Sequence, residues 1–437
     1  MRDVMTPVRQ LMGICACVAL FAVGMAARAA GESAGDEMQL AIVLTRHGVR
    51  SPLLTNEQMA SSAAQPWPKW EVAPGIQTPH GDRLIAFMGD YYRARFLRGG
   101  LLSGDPATDA PLVFVRADND QRTIATGRIL GRALLHGVEP DVNSLEKGTA
   151  DPLFRPLEAR VGHADPALAA AAVLGRMGGD PRNMERAFAP QLAELDEIMF
   201  GPGGTPSAGS PLGEPTSVVP GENISLVALR GRLKAAASCT ESLLLEYIDG
   251  MPASDVGWGR ADGRALTDLL TLHELSFDLT QRTRYPAQVE GSNLASHIID
   301  TLEQAALGQP LPGALGPSGE RIVVLVGHDT NIANIGGLLD LNWWIPGTQA
   351  NPLLPGGALV FELWKRGGDK GGFYVRLSYV AQTLEQMRDA SPLSLENPPA
   401  RSPIFIPGCS GPAPDFDAPL PSLVRQARRV IDHAFVN

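Results

Sequence analysis

Two short clusters of charged residues carry the side chains that phosphate chemistry requires. The first reads RHGVRSP over residues 46–52, so that His47 stands between Arg46 and Arg50. Guanidinium groups are permanently charged forks that match phosphate oxygens, and two neighbouring cations disfavour protonation of an imidazole. A neutral imidazole facing a phosphate dianion is a suitable nucleophile. The cluster therefore predicts a phosphate site with His47 as nucleophile, with a basic surface turn as the alternative interpretation.

The second cluster is His328-Asp329-Thr330-Asn331, which follows the apolar run RIVVLVG at 321–327. A leaving alkoxide needs a proton, and the carboxyl group of Asp329 is of the type that supplies one. A protein that only bound phosphate would have no use for such an acid. The pair therefore favours catalysis over simple binding.

Each cluster follows a short apolar segment that has the pattern of a buried strand. MQLAIVLT at 38–45 is apolar and rich in β-branched residues and leads into Arg46, just as 321–327 leads into His328. In open α/β sheets the ligand crevice lies beyond the carboxyl ends of the strands. We therefore predict an α/β fold with a mostly parallel central sheet flanked by helices, in which the two clusters share one crevice.

Hydrophobic periodicity predicts the remaining elements and a division into domains. Further strands are predicted at 111–117 and, as a hairpin across Gly-rich 367–372, at 358–365 and 373–381; helices are predicted at 80–98, 123–135, 165–175, 224–249, 262–281 and 291–307. We expect a catalytic α/β domain formed by 38–150 plus 285–437. Residues 151–284 would form an inserted, mainly α-helical smaller domain that roofs the crevice. Within that domain, Gly/Pro-rich 201–222 is predicted to be a mobile loop.

The composition excludes several classes of protein. The chain has 437 residues, 44% of them hydrophobic, and a formal net charge of −10. The apolar content is too high for general disorder, and the acidic balance argues against a nucleic-acid-binding surface. No metal motif, P-loop or dinucleotide fingerprint occurs, so we expect no cofactor. We expect a monomer whose partner is a small phosphomonoester.

The N-terminus has the pattern of an export signal. Arg2 and Arg9 precede the apolar run LMGICACVALFAVGMAA, and Ala27-Arg28-Ala29 is a small-residue cleavage pattern. The alternative is an uncleaved anchor, because the run is about as long as a short membrane span. We predict a signal peptide over 1–29, a periplasmic or secreted protein, and no membrane association after cleavage.

Cleavage there would leave two cysteines, Cys239 and Cys409. One long-range disulfide is possible in an oxidising compartment. Two buried free thiols are the favoured alternative.

The motifs together resemble those of the histidine acid phosphatases, in particular their bacterial phytase and acid phosphatase branch. The resemblance includes the nucleophile motif at 46–52 and the longer match GHDTNIANIGGLLDLNW around Asp329. It extends to ADNDQRT at 117–123, GWGR at 257–260 and QTLEQMRDASPLSL at 382–395, and so to nearly all of the mature chain. This chain departs from the familiar enterobacterial members in its few cysteines and in segment 201–222.

The resemblance implies a role for each matching residue. His47 would attack phosphorus and form a phosphohistidine, and Asp329 would protonate the leaving oxygen. The phosphoryl oxygens would be held by Arg46, Arg50, Arg122 and His328. Glu241, His273 and Thr330 match positions that reach the substrate, although the first two are otherwise ordinary helix residues.

Two further candidates rest on weaker patterns. Asp118 could orient Arg122 or touch the substrate, or it could be a helix N-cap. Arg282 and Arg284 could bind the outer phosphates of a polyanion, or they could be solvated charges at a helix end.

The predicted function is an acid phosphatase that works through phosphohistidine and accepts phytate (inositol hexakisphosphate). A glucose-1-phosphatase-type sugar phosphatase is the first alternative. A phosphoglycerate-mutase-like phosphotransferase and a non-catalytic phosphate-binding protein are less favoured.

Overall fold

The computed structural model describes residues 35–222, 224–368 and 371–437. Its strands are β1 Glu37–Arg46, β2 Val113–Ala117, β3 Val142–Asn143, β4 Ser217–Pro220, β5 Val227–Arg230, β6 Ile322–Gly327, β7 Ala358–Lys365, β8 Phe373–Ala381, β9 Ala400–Pro403 and β10 Ala418–Pro419. Its helices are α1 Asn56–Met59, α2 Pro79–Arg98, α3 Pro106–Asp109, α4 Gln121–Leu134, α5 Pro166–Arg176, α6 Arg182–Ala187, α7 Ala189–Phe200, α8 Arg232–Ile248, α9 Gly263–Thr280, α10 Arg284–Leu307, α11 Asp329–Leu338, α12 Leu384–Arg388 and α13 Leu420–Val430. The predicted signal peptide lies outside the described residues.

A mixed eight-stranded sheet forms the centre of the fold, in the order β10-β8-β7-β1-β6-β2-β3 with β9 beside β8. The central strands β1, β6, β2 and β3 pair in parallel, and β7 pairs antiparallel with β1 to begin the other half. Strand β6 is buried at every position and β1 is nearly so. Burial on both faces explains why these strands read as continuous apolar runs rather than as alternating ones. The predicted α/β class with parallel central strands is confirmed.

Apolar residues cover both faces of the sheet, and another apolar cluster lies among the helices of the middle of the chain. That helical cluster includes Leu195, Met199, Leu243 and Leu269. Residues 35–437 group into one compact unit. The inserted domain at 151–284 stays a prediction.

The predicted helix over 224–249 is partly wrong. Residues Val227–Arg230 form strand β5, and helix α8 begins only at Arg232. Gly231 separates them with φ 75°, and a Cβ there would lie 2.1 Å from the carbonyl oxygen of Pro215. This left-handed, tightly packed position suits glycine and stops the helix from extending further towards the N-terminus.

Segment 201–222 contains more structure than the predicted loop. Strand β4 pairs antiparallel with β5, and Pro211–Gly213 forms a short 3₁₀ helix. The pairing partner lies beyond the Gly/Pro-rich stretch, so its composition alone gave no indication of the strand.

Cys239 and Cys409 are free thiols and not a disulfide, as favoured, but only Cys239 is buried as predicted, because Cys409 is partly exposed. Cys239 is buried in α8, and burial raises the pKa of its thiol to about 12. Within the residues that the structure describes, no helix is both long and apolar enough to cross a bilayer.

Candidate active site

The register of two parallel strands brings the two charged clusters together. Arg46, the last residue of β1, is paired with Gly327, the last residue of β6. The amide of His47 also donates to the carbonyl of Gly327 at 3.1 Å. The rings of His47 and His328 consequently lie edge to face, with centroids 5.6 Å apart. The predicted shared crevice is therefore present.

Gly48 allows the chain to turn closely behind His47. A Cβ at this position would lie 2.8 Å from Cγ1 of Ile85 and 3.0 Å from the side chain of Gln77. The amide of Gly48 donates to the Thr126 hydroxyl at 2.9 Å. Larger side chains would push the loop away from α2, which explains the small residue after His47.

His47 is held as a neutral imidazole. It is 2% exposed, and its Nδ1 lies 2.9 Å from the carbonyl oxygen of Gly48. A carbonyl can only accept a hydrogen bond, so Nδ1 carries the proton and Nε2 keeps its lone pair. Burial, followed by the charges of Arg46 and Arg50, holds the pKa of His47 well below its usual value. The free Nε2 lone pair is what a nucleophile requires.

Glu241 links the two arginines that flank His47. Its Oε1 lies 2.5 Å from Nη2 of Arg46 and 2.9 Å from Nη2 of Arg50. Burial alone would raise the pKa of Glu241, but Arg50 and Arg46 hold it well below the usual range. Arg46 is also fixed by a hydrogen bond from Nη1 to the carbonyl of Leu353. Helix α8 thus supplies the counter-charge for the cations after β1.

A second network joins Arg122 and His328 through two aspartates. Asp120 lies 2.6 Å from Nη2 of both Arg122 and Arg155. Asp118 lies 2.6 Å from Nε2 of His328 and 2.6 Å from Nε of Arg155. Burial would raise the pKa of Asp118, but His328 and Arg155 lower it to about 2. The carboxylate is therefore ionised and accepts the Nε2–H of His328.

This arrangement contradicts two of the roles predicted for Asp118, as the residue that orients Arg122 and as a helix N-cap. Its carboxylate accepts hydrogen bonds from His328, Arg155 and the amide of Asn119 and not from Arg122, and the N-cap position of α4 belongs to Asp120. Sequence reasoning missed both Asp120 and Arg155. The acidic residues of ADNDQRT were visible, but no pattern linked them to an arginine 35 positions or more along the chain.

Asp118, Asp120 and His328 also lie close enough to hold one metal ion, since their ligand atoms are within 4.8 Å of one another. The carboxylate oxygens that face inward already accept from Arg155 and Arg122. Guanidinium groups therefore balance the charge that a cation would otherwise balance.

Asp329 is the first residue of α11 and contacts Arg46. Its Oδ2 lies 3.0 Å from Nη2 of Arg46, and its Oδ1 accepts from the amide of Thr330 at 2.9 Å. The side chain of Asp329 is 15% exposed, so it faces the cleft without being sealed from water. The helix N-terminus and Arg46 both favour the binding of an anionic phosphate here.

Only some of the residues predicted to contact the substrate line the cleft. Glu241, His273 and Thr330 line it, but Arg284 does not: Arg284 is the exposed first residue of α10. Arg282 instead stacks over Trp343, with its guanidinium carbon 5.2 Å from the ring centroid. The prediction placed both arginines at the end of the helix after His273, but that helix ends at Thr280.

His273 lies in surroundings that favour its protonated form. Its Nδ1 lies 3.4 Å from Oε1 of Glu274, and both side chains are mostly buried. Burial alone would lower the pKa of His273, but Glu274 and then Glu241 raise it above its usual value.

The cleft itself has a volume of about 420 Å³. Of the residues described above, those that line it include His47, Arg50, Asp120, Arg122, Glu241, His273, His328, Asp329 and Thr330. Its outer walls add a set that sequence reasoning did not single out: Leu53, Phe154, Arg155, Glu158, Ile224, Lys234, Ser238, Phe277, Gln281 and Glu290.

A buried, neutral histidine between arginines, with a carboxyl group at the neighbouring strand end, is the arrangement of a phosphoric monoester hydrolase of the histidine acid phosphatase type. The chain belongs to the histidine phosphatase superfamily (branch 2), which matches residues 37–380.

Relatives agree with this assignment. The chain is 34% identical over 391 residues to phytase AppA of Escherichia coli (strain K12), covering 85% of this chain and 87% of that protein. It is 26% identical to a glucose-1-phosphatase of Salmonella typhimurium, covering 87% and 90% respectively. A solved structure of Hafnia alvei phytase in complex with myo-inositol hexakis sulphate is 34% identical, with a TM-score of 0.80 and coverage of 92% and 99%.

Proposed function

We propose that this protein is an exported acid phosphatase that hydrolyses phosphomonoesters through a phosphohistidine at His47 and accepts phytate. The observation that carries the proposal is the state of His47. Its Nδ1 is tied to the carbonyl of Gly48, so its Nε2 is free in a cleft flanked by Arg46 and Arg50.

In the first step Nε2 of His47 attacks phosphorus, the N–P bond forms and the P–O bond to the leaving group breaks. The proton of the Asp329 carboxyl moves to the leaving oxygen. Arg46, Arg50 and Arg122 stabilise the charge of the transferring phosphoryl group, which is the main demand of phosphoryl transfer. The phosphate displaces Glu241 from the arginines that it links.

In the second step a water molecule attacks the phosphohistidine. The Asp329 carboxylate takes a proton from the water, the N–P bond breaks, and inorganic phosphate leaves. Asp118 keeps His328 oriented through both steps, because its carboxylate accepts the Nε2–H of that ring. Dividing the hydrolysis in this way replaces one difficult step by two easier ones.

Phytate is supported as a substrate by the 34% identity to two phytases, at high coverage of both chains. The 26% identity to a glucose-1-phosphatase favours a sugar phosphatase as the second candidate. One experiment separates them: phosphate release from p-nitrophenyl phosphate, phytate and glucose 1-phosphate, compared by kcat/KM. We expect all three to be hydrolysed, with phytate well above background. Strong preference for glucose 1-phosphate with untouched phytate would replace the phytase proposal, and no release from any ester would overturn the phosphatase.

Export is supported by the signal-like pattern of residues 1–29. N-terminal sequencing of the native protein should find a mature chain that begins near Ala30. An intact N-terminus in the membrane fraction would contradict this.

A further inference from the structure

The cations on the floor of the cleft are already paired with carboxylates. Arg46 and Arg50 share Glu241, and Arg122 shares Asp120 with Arg155. The scissile phosphoryl group can take the place of Glu241, but the floor offers little charge for a second phosphate on the same substrate.

Lys234 is different from these cations. It lines the same cleft and is exposed. Within the part of the chain that the structure describes, no hydrogen bond or ion pair of its ammonium group is found. Its charge is therefore available to a ligand.

Helix geometry places Lys234 on the same face of α8 as Glu241, which contacts the arginines of the cleft. It precedes Glu241 by seven residues on α8, which is two turns and about 10 Å along the helix axis. Residues seven apart share a face of a helix, and Ala237 and Ser238 between them also line the cleft. A ligand that extends along α8 from the arginines therefore reaches the ammonium group of Lys234.

The other outer walls combine apolar, neutral polar and acidic side chains. Ile224, Leu226 and Phe277 are apolar, and α10 contributes the carboxyl group of Glu290. Arg155 also lines the cleft, but its guanidinium is paired with Asp118 and Asp120, so the cation of the outer cleft without a paired carboxylate among the described residues is Lys234 on α8.

We propose that Lys234 is a specificity-determining residue that binds a second phosphate, about two helical turns from the scissile one. This inference rests on the proposed phosphatase function and names its preferred substrate class: phosphate esters whose sugar or inositol body carries another phosphate at its far end. The separation of two phosphates at opposite ends of a hexose is of the same order as the two-turn spacing.

The test compares two substrates that differ by one phosphate, glucose 1-phosphate and glucose 1,6-bisphosphate. For Lys234→Ala we expect KM for the bisphosphate to rise about three- to fivefold, as is typical of one exposed ion pair. KM for glucose 1-phosphate and both kcat values should change less than twofold. Lys234→Arg should retain the preference, and high salt should reduce it in the wild type.

Arg230→Ala is the matched control. Arg230 is an exposed cation at the end of β5, four residues before Lys234, and it does not line the cleft. It should leave both KM values unchanged.

The proposal is overturned if Lys234→Ala affects the two substrates equally or affects neither, or if Arg230→Ala has the same effect. Failure of the proposed function looks different, because the wild type would then release no phosphate from p-nitrophenyl phosphate. Circular dichroism and the unfolding temperature of each variant establish that it is folded.

Discussion

Two regions of the cleft differ in how their side chains are supplied. The sheet end consists of the residues that follow β1 and β6, and it contributes His47 and Asp329 from two short contiguous motifs. The helical wall consists of cleft-lining residues of α8, α9 and α10, and it contributes Glu241, His273 and Glu290 one at a time. In the proposed mechanism the reacting groups follow the paired parallel strands of the sheet end, whereas the wall would supply counter-charge and substrate contacts.

This comparison has a kinetic consequence. Changes at the sheet end should lower kcat, because its groups act on the transition state. Changes on the wall should act mainly through KM, because its groups bind parts of the substrate that do not react.

The largest effect is expected at the nucleophile. His47→Ala should lower kcat for p-nitrophenyl phosphate by about three orders of magnitude or more, since the covalent route is lost. Steady-state kinetics measures the loss, and thermal unfolding verifies the fold. Ordinary turnover by a folded variant would break the assignment of covalent chemistry to the sheet end.

The acid of the sheet end should show a dependence on the leaving group. Asp329→Asn should lower kcat about a hundredfold for alkyl phosphates and much less for p-nitrophenyl phosphate, whose leaving group needs little protonation. Because the acid must carry its proton in the first step, the wild-type rate should be highest below neutral pH. Equal losses for both substrates, or a maximum above pH 8, would remove Asp329 from this role.

Arg155 tests whether a residue outside the two sequence motifs also affects the sheet end. It contacts Asp118 and Asp120 but belongs to neither motif. Arg155→Ala should lower kcat about tenfold, since Asp118 and Asp120 lose the cation that fixes them beside His328 and Arg122. Arg155→Lys should restore part of the loss. A change in KM alone would instead assign Arg155 to substrate recognition.

The smallest effect is expected from Glu290 on the wall. Burial raises the pKa of this carboxyl to about 7, so it is neutral at acid pH and becomes negative as the pH rises through that value. KM for an anionic ester should therefore rise about twofold above pH 7 in the wild type, and Glu290→Gln should remove that part of the rise. Profiles of KM against pH for both proteins measure it. Identical profiles would show that the charge of Glu290 does not reach the substrate.

Sequence patterns predicted the secondary structure best where it depends on residues that are close together in the chain. The apolar runs before Arg46 and His328 became β1 and β6, and the hairpin over 358–365 and 373–381 has the predicted bounds. Patterns failed at β5, where a helical periodicity continued past Gly231, and at β4, whose pairing partner lies beyond a Gly/Pro-rich stretch.

The amino-acid sequence by itself determined the kind of chemistry. A histidine between two arginines tends to be neutral, and a carboxyl group can donate a proton. Both properties follow from side-chain type and from immediate neighbours in the chain, so they do not depend on the details of the fold. Tertiary structure decided which charges meet. Asp118 pairs with His328 and Arg155, and Glu241 links Arg46 and Arg50. Lys234 lines the cleft, whereas Arg284 does not. Ion pairing depends on separations of a few ångströms, and such distances between residues far apart in the chain exist only once the chain has folded.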